Sequence, residues 1–276
     1  MIELGNYNTL KIVRNTSVGL FLEDSEGTDV LLPNKYVPET YEMEDDISVF
    51  CYLDYDERPI ATTLEPYIIR NTFALLKVVD VNEYGAFLDW GLEKHLLVPF
   101  REQRDKMKQG QWYVVYCYMD EMSFRLVGSN KLNKFISNES LTIEPYEEVD
   151  IIITRKTDLG WEAIINNAHK GLIFFSDVYK EIAVGDKTKG YIKNIRPDNK
   201  IDVSLEPIGF KSLEPSANII YEAAVKNGGF LNLHDKSNPE EIKRQLQMSK
   251  KSFKRGIGVL YKERKIVINE NGIKII

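Results

Sequence analysis

Apolar and polar residues alternate along much of the chain as far as residue 207, as in the segment KVVDVNEYGAFLDW at 77–90. The alternation returns in GYIKNI and KIDVSLEP, which are separated by the turn residues Pro197, Asp198 and Asn199. A period of two residues predicts half-buried strands joined by short turns. A glycine within such a run, as at Gly85, is typical of a strand that bends sharply to cross from one side of a small barrel to the other.

Three copies of one strand pattern follow each other along this part of the chain. Gly19 and Gly85 are 66 residues apart, and so are Cys51 and Cys117, so each cysteine follows its glycine by 32 residues. A third copy begins at Gly160. Two further markers recur in each copy. The first lies 14 residues after the glycine and is Pro33, Pro99 or Phe174. The second is a basic residue 39 or 40 residues after the glycine, namely Arg58, Arg125 or Lys200. Repeats of this length with about five strands each suit oligonucleotide-binding (OB) barrels.

The pattern changes its period after Pro215. The segments SANIIYEAAVKNGG, SNPEEIKRQLQ and SKKSFKRGIGVLYKE predict three helices, with capping residues, a proline in a first turn and a terminal glycine pair. Two short strands, KIVINE and GIKII, then meet at Asn271 and Gly272. Three helices closed by a hairpin predict a winged helix.

The segments YGAF and LLVPF, followed by a basic residue four positions before a serine, resemble the ribosomal S1-type RNA-binding domain, an OB barrel. In the third copy, GLIFFSDV and GDKTKGYIKNIRPDNKIDVSLEP resemble the other half of that domain. The resemblance implies a mainly β protein with a small α+β C-terminal domain: three tandem S1-like barrels at 1–66, 67–143 and 144–213, then a winged helix at 214–276. This order and length resemble the bacterial conserved virulence factor B family, whose members are implied to bind RNA and to influence the expression of other genes, without a known catalytic activity.

The resemblance also implies which aromatic residues contact RNA. In S1-like domains the aromatic residues one before and two after the glycine lie on the outer face, where a base can stack on them. Tyr84 and Phe87 occupy these positions, and the alternative is that they fill the barrel. The first copy keeps only Phe21. The third copy keeps neither, and Trp161 and Phe174 are its candidate replacements, although the position of Trp161 beside the glycine also favours inward packing.

The three repeated basic residues are candidate phosphate contacts, and the charge distribution ranks them. Residues 1–66 contain four basic and 14 acidic residues, a net charge of −10, whereas residues 67–143 have a net charge of +1. Phosphate binding requires positive potential. We therefore favour Arg125 and Lys200 over Arg58, and we expect the first barrel to shield the RNA surface or dock a basic partner, unless its acidic loop is simply solvated.

The winged helix has the opposite charge bias, with a net charge of +5 over 214–276. Four basic residues lie in the first half of its third helix, the element that enters a groove when such a fold binds DNA: Lys250, Lys251, Lys254 and Arg255. This face is predicted to bind nucleic acid or a protein partner. The alternative is a solvated basic face.

The sequence has no catalytic or metal-binding motif. His95, His169 and His234 stand in unrelated settings, and there is neither a phosphate loop nor a nucleophile elbow. We expect no catalytic residue, no metal and no cofactor. Cys51 and Cys117 are predicted to be buried strand residues, and the absence of a leader-like start and of a long apolar run predicts a cytoplasmic protein without membrane contact.

Together these patterns predict a non-catalytic, single-stranded RNA-binding protein that regulates gene expression post-transcriptionally, with a monomer favoured. The first alternative is a protein-interaction adaptor that binds ribosomal or transcription components. The second is duplex DNA binding by the winged helix alone.

Overall fold

The computed structural model describes residues 1–178, 181–206, 215–269 and 271–276. Barrel 1 is a closed five-stranded barrel in which β5 pairs with both β3 and β4. Its strands are β1 (Tyr7–Thr16), β2 (Gly19–Glu23), β3 (Asp29–Pro33), β4 (Asp46–Leu53) and β5 (Pro59–Thr62). The alternating residues Leu20, Leu22, Val30 and Leu32 fill its interior.

Barrels 2 and 3 repeat this architecture. The strands of barrel 2 are β6 (Phe73–Val81), β7 (Gly85–Asp89), β8 (Leu96–Pro99), β9 (Trp112–Met119) and β10 (Leu126–Ser129). They form a sheet in the order β10-β9-β6-β7-β8, and the backbone of Gly128 in β10 packs against Val98 and Leu96 of β8, which nearly closes the barrel. The strands of the closed barrel 3 are β11 (Glu148–Lys156), β12 (Gly160–Ile165), β13 (His169–Phe174), β14 (Lys187–Ile195) and β15 (Ile201–Ser204).

The repeat markers in the sequence occupy equivalent places in the three barrels. Gly85 pairs with Pro99, as Gly19 pairs with Pro33 and Gly160 with Phe174. A Cβ atom on Gly85 would lie 2.3 Å from the backbone oxygen of Val98, and the glycine has a φ of +152°. The two strands approach so closely at this point that only glycine fits. The three-barrel arrangement predicted from the sequence is confirmed.

Barrel 1 packs firmly onto barrel 2. The ring of Phe50 in β4 meets the indole of Trp90 edge-on, with 5.8 Å between ring centres, and Tyr52 contacts the same indole. All three side chains belong to one buried cluster with the interior of barrel 2. The connecting segment is also tied down, because the backbone N–H of Arg70 donates to the backbone oxygen of Gly5. The first two barrels therefore share a core.

Barrels 2 and 3 are joined in a similar way. Phe73 and Val114 of barrel 2 form a buried cluster with Ile152 and Ile164 of barrel 3. The connection between them includes the short 3₁₀ helix Leu132–Lys134 and is held against barrel 3 through backbone and side-chain hydrogen bonds. Both segments that connect the barrels are thus packed parts of the structure.

The C-terminal region forms the predicted winged helix. It contains α1 (Pro215–Lys226), α2 (Pro239–Leu246), α3 (Lys250–Lys262), β17 (Ile266–Asn269) and β18 (Gly272–Ile275). The side chain of Asn238 caps α2, as expected from the sequence, and that of Ser249 caps α3. A two-residue strand, β16 (Phe230–Leu231), pairs with β18 and was not predicted, because a strand this short has no readable alternation.

Both cysteines are buried strand residues with free thiols, as predicted. Within the described ranges, no helix is long and apolar enough to cross a membrane.

Candidate nucleic-acid interface

Tyr84 and Phe87 lie on the outside of barrel 2. Along β7, Ala86 and Leu88 are fully buried, and Phe87 between them points to the opposite face and is half-buried. Tyr84 stands just before the strand and is 65% exposed. Because neighbouring strand residues point to opposite faces, the bend at Gly85 places both rings on the outer surface.

These rings open into a groove between barrels 1 and 2, which we call the aromatic groove. Its cavity has a volume of about 370 Å³, and its lining includes Tyr55, Tyr84, Phe87, Lys94, His95 and Arg125. Tyr55 belongs to barrel 1, is 71% exposed, and donates its hydroxyl hydrogen to the backbone oxygen of Glu93 across the junction. Besides the buried Tyr52 and Trp90, the groove thus brings three more exposed aromatic rings together with two cations, which is the combination that single-stranded nucleic acids bind.

Lys94 helps to hold the junction together. Its ammonium donates to the backbone oxygen of Asp54 in barrel 1, at 2.6 Å. Burial lowers the pKa of this ammonium from its usual value. Lys94 is therefore committed to the structure of the groove more than to an incoming phosphate.

Arg125 differs from its two counterparts in its ion pair. Arg58 binds Asp54 and Asp56 in its own turn, each at 2.8 Å, and Lys200 binds Asp198 at 2.7 Å. Arg125 instead reaches across to Glu57 of barrel 1. It lines the aromatic groove beside Tyr84 and Phe87, where a phosphate could compete for it. Arg58 and Lys200 do not line the aromatic groove.

The Phe21 ring of barrel 1 is already covered. The guanidinium carbon of Arg14 lies 4.1 Å from the centre of this ring, and Arg14 is in turn paired with Asp29 at 3.2 Å. A cation over an aromatic face is a favourable contact that a base would have to displace. A base that stacked on this face of Phe21 would have to displace Arg14, and the role of Phe21 in RNA binding stays a prediction.

In barrel 3 the same strand position carries Glu162, which binds Arg155 and Lys170. The Arg155 guanidinium makes two hydrogen bonds to this carboxylate, at 2.5 and 2.7 Å. Burial would raise the pKa of Glu162, but these hydrogen bonds outweigh it, and the pKa lies below its usual value. A carboxylate held ionised here cannot serve as a base-stacking platform.

The two proposed replacements in barrel 3 have different surroundings. Trp161 is half-buried and packs against the interior of barrel 3, while the ammonium of Lys156 lies 5.7 Å from its ring centre. Phe174 is half-buried, with the guanidinium of Arg196 at 5.6 Å from its ring centre. Neither side chain lines the aromatic groove, and their roles in RNA binding stay predictions.

Comparisons with known proteins agree with this architecture. The sequence profile of the CvfB-like winged helix domain matches residues 218–275, and that of the S1 domain matches residues 4–64. The chain is 27% identical to conserved virulence factor B of Staphylococcus aureus, over 98% of this chain and 92% of that protein. The chain is thus similar over nearly its full length to conserved virulence factor B proteins.

Other relatives align over nearly the full length of the chain. The Bacillus subtilis protein YitL is 29% identical, over 97% of this chain and 92% of that protein. A crystal structure of a multidomain protein with nucleic acid binding domains from Streptococcus pneumoniae is 24% identical, covers 99% of this chain and 98% of that one, and superposes with a TM-score of 0.45.

The winged helix presents most of the predicted basic residues to solvent. Lys251, Lys254 and Arg255 are exposed on α3, and Lys250 is half-buried at its start. Their part in binding nucleic acid or a protein stays a prediction.

The three histidines have separate surroundings. His95 lines the aromatic groove. His169 is buried, and its ring nitrogens contact the backbone oxygen of Ser137 and the hydroxyl of Thr142 in the connection between barrels 2 and 3, so it is a structural residue. No cluster of three or more potential metal ligands occurs in the parts of the chain that the structure describes.

Sequence reasoning missed Tyr55, Lys94 and His95. All three lie outside the glycine-centred pattern of the family. Tyr55 lies in the turn of barrel 1, and the other two lie in the loop before β8 of barrel 2. The only sequence signal for Tyr55 is an aromatic residue within an acidic turn, and nothing in that signal points to the neighbouring barrel.

Proposed function

We propose that this protein binds single-stranded RNA in the aromatic groove, without catalysis, and regulates gene expression post-transcriptionally. The observation that carries the proposal is the convergence of Tyr55, Tyr84 and Phe87 with Arg125 in one groove between two barrels. The S1 domain matched at residues 4–64 supports nucleic acid as the class of ligand.

The rings provide the affinity for bases. A base stacked on an aromatic ring contributes roughly 1 to 3 kcal/mol, almost independently of its identity. The exposed ring of Tyr84 and the outward ring of Phe87 offer adjacent surfaces to one strand. Because bases in a duplex are already stacked and paired, unpaired RNA is the form that can use these rings.

Arg125 provides the contact to phosphate. Its pair with Glu57 is about half-exposed on both sides, and exposed ion pairs typically contribute about 0 to 1 kcal/mol. A phosphate can replace the carboxylate at small cost and offers the same bidentate geometry. Glu57 thus lowers the affinity for RNA without closing the groove.

The proposal is tested by fluorescence anisotropy of a labelled single-stranded RNA at low and physiological salt. We expect Tyr84→Ala/Phe87→Ala to weaken binding at least about tenfold, because two stacking surfaces are lost. Tyr146→Ala is the matched control, since Tyr146 is 63% exposed on barrel 3 and lies outside the groove. Duplex RNA should bind more weakly than the single strand.

Circular dichroism establishes whether the double variant is folded. If a folded double variant binds single-stranded RNA as tightly as the wild type, the aromatic groove is not the site. If the wild-type protein does not bind single-stranded RNA, the proposed function is wrong.

A further inference from the structure

A second groove lies between barrels 2 and 3, and we call it the basic groove. Its cavity has a volume of about 630 Å³. Its lining includes charged side chains from both barrels and from the segment that connects them, together with the indole of Trp112. Glu162 stands at the position of Phe87 in the repeat, whereas neither the strand pattern nor the family resemblance points to the other residues of this lining.

The barrels on either side are held rigidly, so the groove is preformed. Gly185 of barrel 3 packs directly on Leu75 of barrel 2, and an added Cβ would lie 2.3 Å from a Leu75 methyl carbon. Phe73 and Ile164 belong to a buried cluster that spans the junction. A ligand therefore finds the two walls already in place and loses less free energy in ordering them.

The basic groove is positively charged in an acidic protein. It is lined by five cationic and two carboxylate side chains, whereas the whole chain has a net charge of −6. The aromatic groove, by comparison, has two cations and one carboxylate. The low-dielectric walls of a groove strengthen the electric field of the charges that line it, and a positive field attracts anions.

Carboxylates within the groove neutralise only part of this charge. Arg155 and Lys170 share the single carboxylate of Glu162, whose side chain is 15% exposed. Arg104 lies 3.8 Å from Asp105, and both of these side chains are well exposed. Lys134 is paired with the buried carboxylate of Glu102, which lies outside the groove lining, at 2.9 Å. Lys131 makes no salt bridge to any residue that the structure describes. The arrangement leaves cationic groups available to an anion.

Trp112 adds an aromatic surface to this charge. It is the first residue of β9 and is 57% exposed. A large exposed indole beside several cations is the combination that stacks a base and binds its phosphates. An acidic peptide would use the cations but would gain less from a flat indole face.

We propose that the basic groove is a second RNA subsite, in which Trp112 stacks a base while Arg104 and Lys131 contact phosphates of the same strand. The inference rests on the proposed function. Barrel 2 forms one wall of both grooves, so an RNA bound in the aromatic groove has a high effective concentration at the basic groove if it is long enough to reach it. A long strand should therefore bind more tightly than a short one.

The experiment compares Lys131→Gln with Lys108→Gln in the full chain, using anisotropy of a long single-stranded RNA over a salt series. Lys108 is an exposed lysine of barrel 2 that lines neither groove, so the two variants lose the same charge. Loss of one phosphate contact reduces the salt slope of log K by about 0.7 for a single strand. We expect this reduction for Lys131→Gln, and no change for Lys108→Gln.

Trp112→Ala provides an independent readout. We expect at least about fivefold weaker binding of the long strand, and little change for a strand of a few nucleotides that fits one groove. A 5-iodouridine-labelled long strand should crosslink to Trp112, and mass spectrometry can locate the adduct. Lys131→Gln keeps the test decisive if the tryptophan variant does not fold.

The outcomes separate the two proposals. Suppose that Tyr84→Ala/Phe87→Ala abolishes RNA binding, whereas Lys131→Gln and Trp112→Ala bind RNA as tightly as the wild type. The proposal of a second subsite is then wrong and the proposed function stands. If the wild type binds no single-stranded RNA, both are wrong. If oligoglutamate binds in a manner that depends on Lys131 while RNA binding does not, the groove belongs to an acidic protein partner and the inference is overturned.

Discussion

The guanidinium of Arg14 lies over the ring of Phe21, with its central carbon 4.1 Å from the ring centre. Phe87 is the equivalent residue of barrel 2. Its cross-strand partner is Asp80, whereas the partner of Phe21 is Arg14, so the paired residue in barrel 2 supplies no cation to the ring. The same position of the repeat therefore carries a ring paired with a cation in barrel 1 and a ring without that partner in barrel 2. The difference lies in the neighbouring strand, β1 in barrel 1 and β6 in barrel 2.

The covered ring predicts that barrel 1 contributes little to RNA stacking. We expect Phe21→Ala to change the affinity for single-stranded RNA less than about twofold, whereas Phe87→Ala should lower it about fivefold or more. Both variants remove a half-buried ring from the same strand position. Anisotropy titrations of the two folded variants provide the measurement, and equal losses would contradict this assignment.

Glu57 is predicted to restrain Arg125. Glu57→Gln removes the carboxylate that competes with phosphate, and we expect RNA affinity to rise about two- to fivefold at low salt. Arg125→Ala should lower the affinity and reduce the salt slope by about 0.7. Glu121→Gln is the control, because it removes an exposed carboxylate of the turn next to Arg125. An equal gain in Glu121→Gln would show a general charge effect instead.

Glu162 is predicted to stabilise barrel 3 in a pH-dependent manner. Its pKa in the folded protein lies below the ordinary value of 4.5, because its hydrogen bonds to Arg155 and Lys170 outweigh burial. The stabilisation is therefore fully present above about pH 4.5 and is lost as the pH falls through the lower folded pKa. We expect Glu162→Gln to reduce the free energy of unfolding by roughly 1 kcal/mol at pH 7.

Urea unfolding at several pH values tests this dependence. The difference between the wild type and Glu162→Gln should shrink as the pH is lowered below 4.5. Glu139→Gln removes an exposed carboxylate from the connection before barrel 3 and should show no such difference. A wild-type advantage that stays constant down to pH 2 would contradict the role assigned to the ion pair.

Gly85 is predicted to be required for the fold of barrel 2. Gly85→Ala places a Cβ 2.3 Å from the backbone oxygen of Val98 at a φ of +152°, and we expect a loss of about 3 kcal/mol in the free energy of unfolding. Gly110→Ala should cost only about 1 kcal/mol, since Gly110 has a φ of +79° and open space around it. Denaturant unfolding of both variants gives the comparison. Similar losses would show that the close strand approach carries no cost.

The repeat pattern predicted the barrels correctly, and the resemblance to S1-like domains implied the outward rings of Tyr84 and Phe87 that the structure has. Strand alternation and the glycine bend are local properties, since each follows from the backbone geometry of a few consecutive residues. The capped helices of the winged helix were readable for the same reason. Local patterns therefore determined the type of each domain and the face on which these two rings lie.

The tertiary structure alone decided which rings and cations form sites. Tyr55 reaches the aromatic groove, and Trp112 and Lys131 line the basic groove, only because each barrel packs in one orientation on the next. Arg14 covers Phe21 through a cross-strand contact that the repeat pattern does not contain. Such contacts join residues on different strands and barrels, and their geometry depends on packing between surfaces whose relative orientation no single segment encodes.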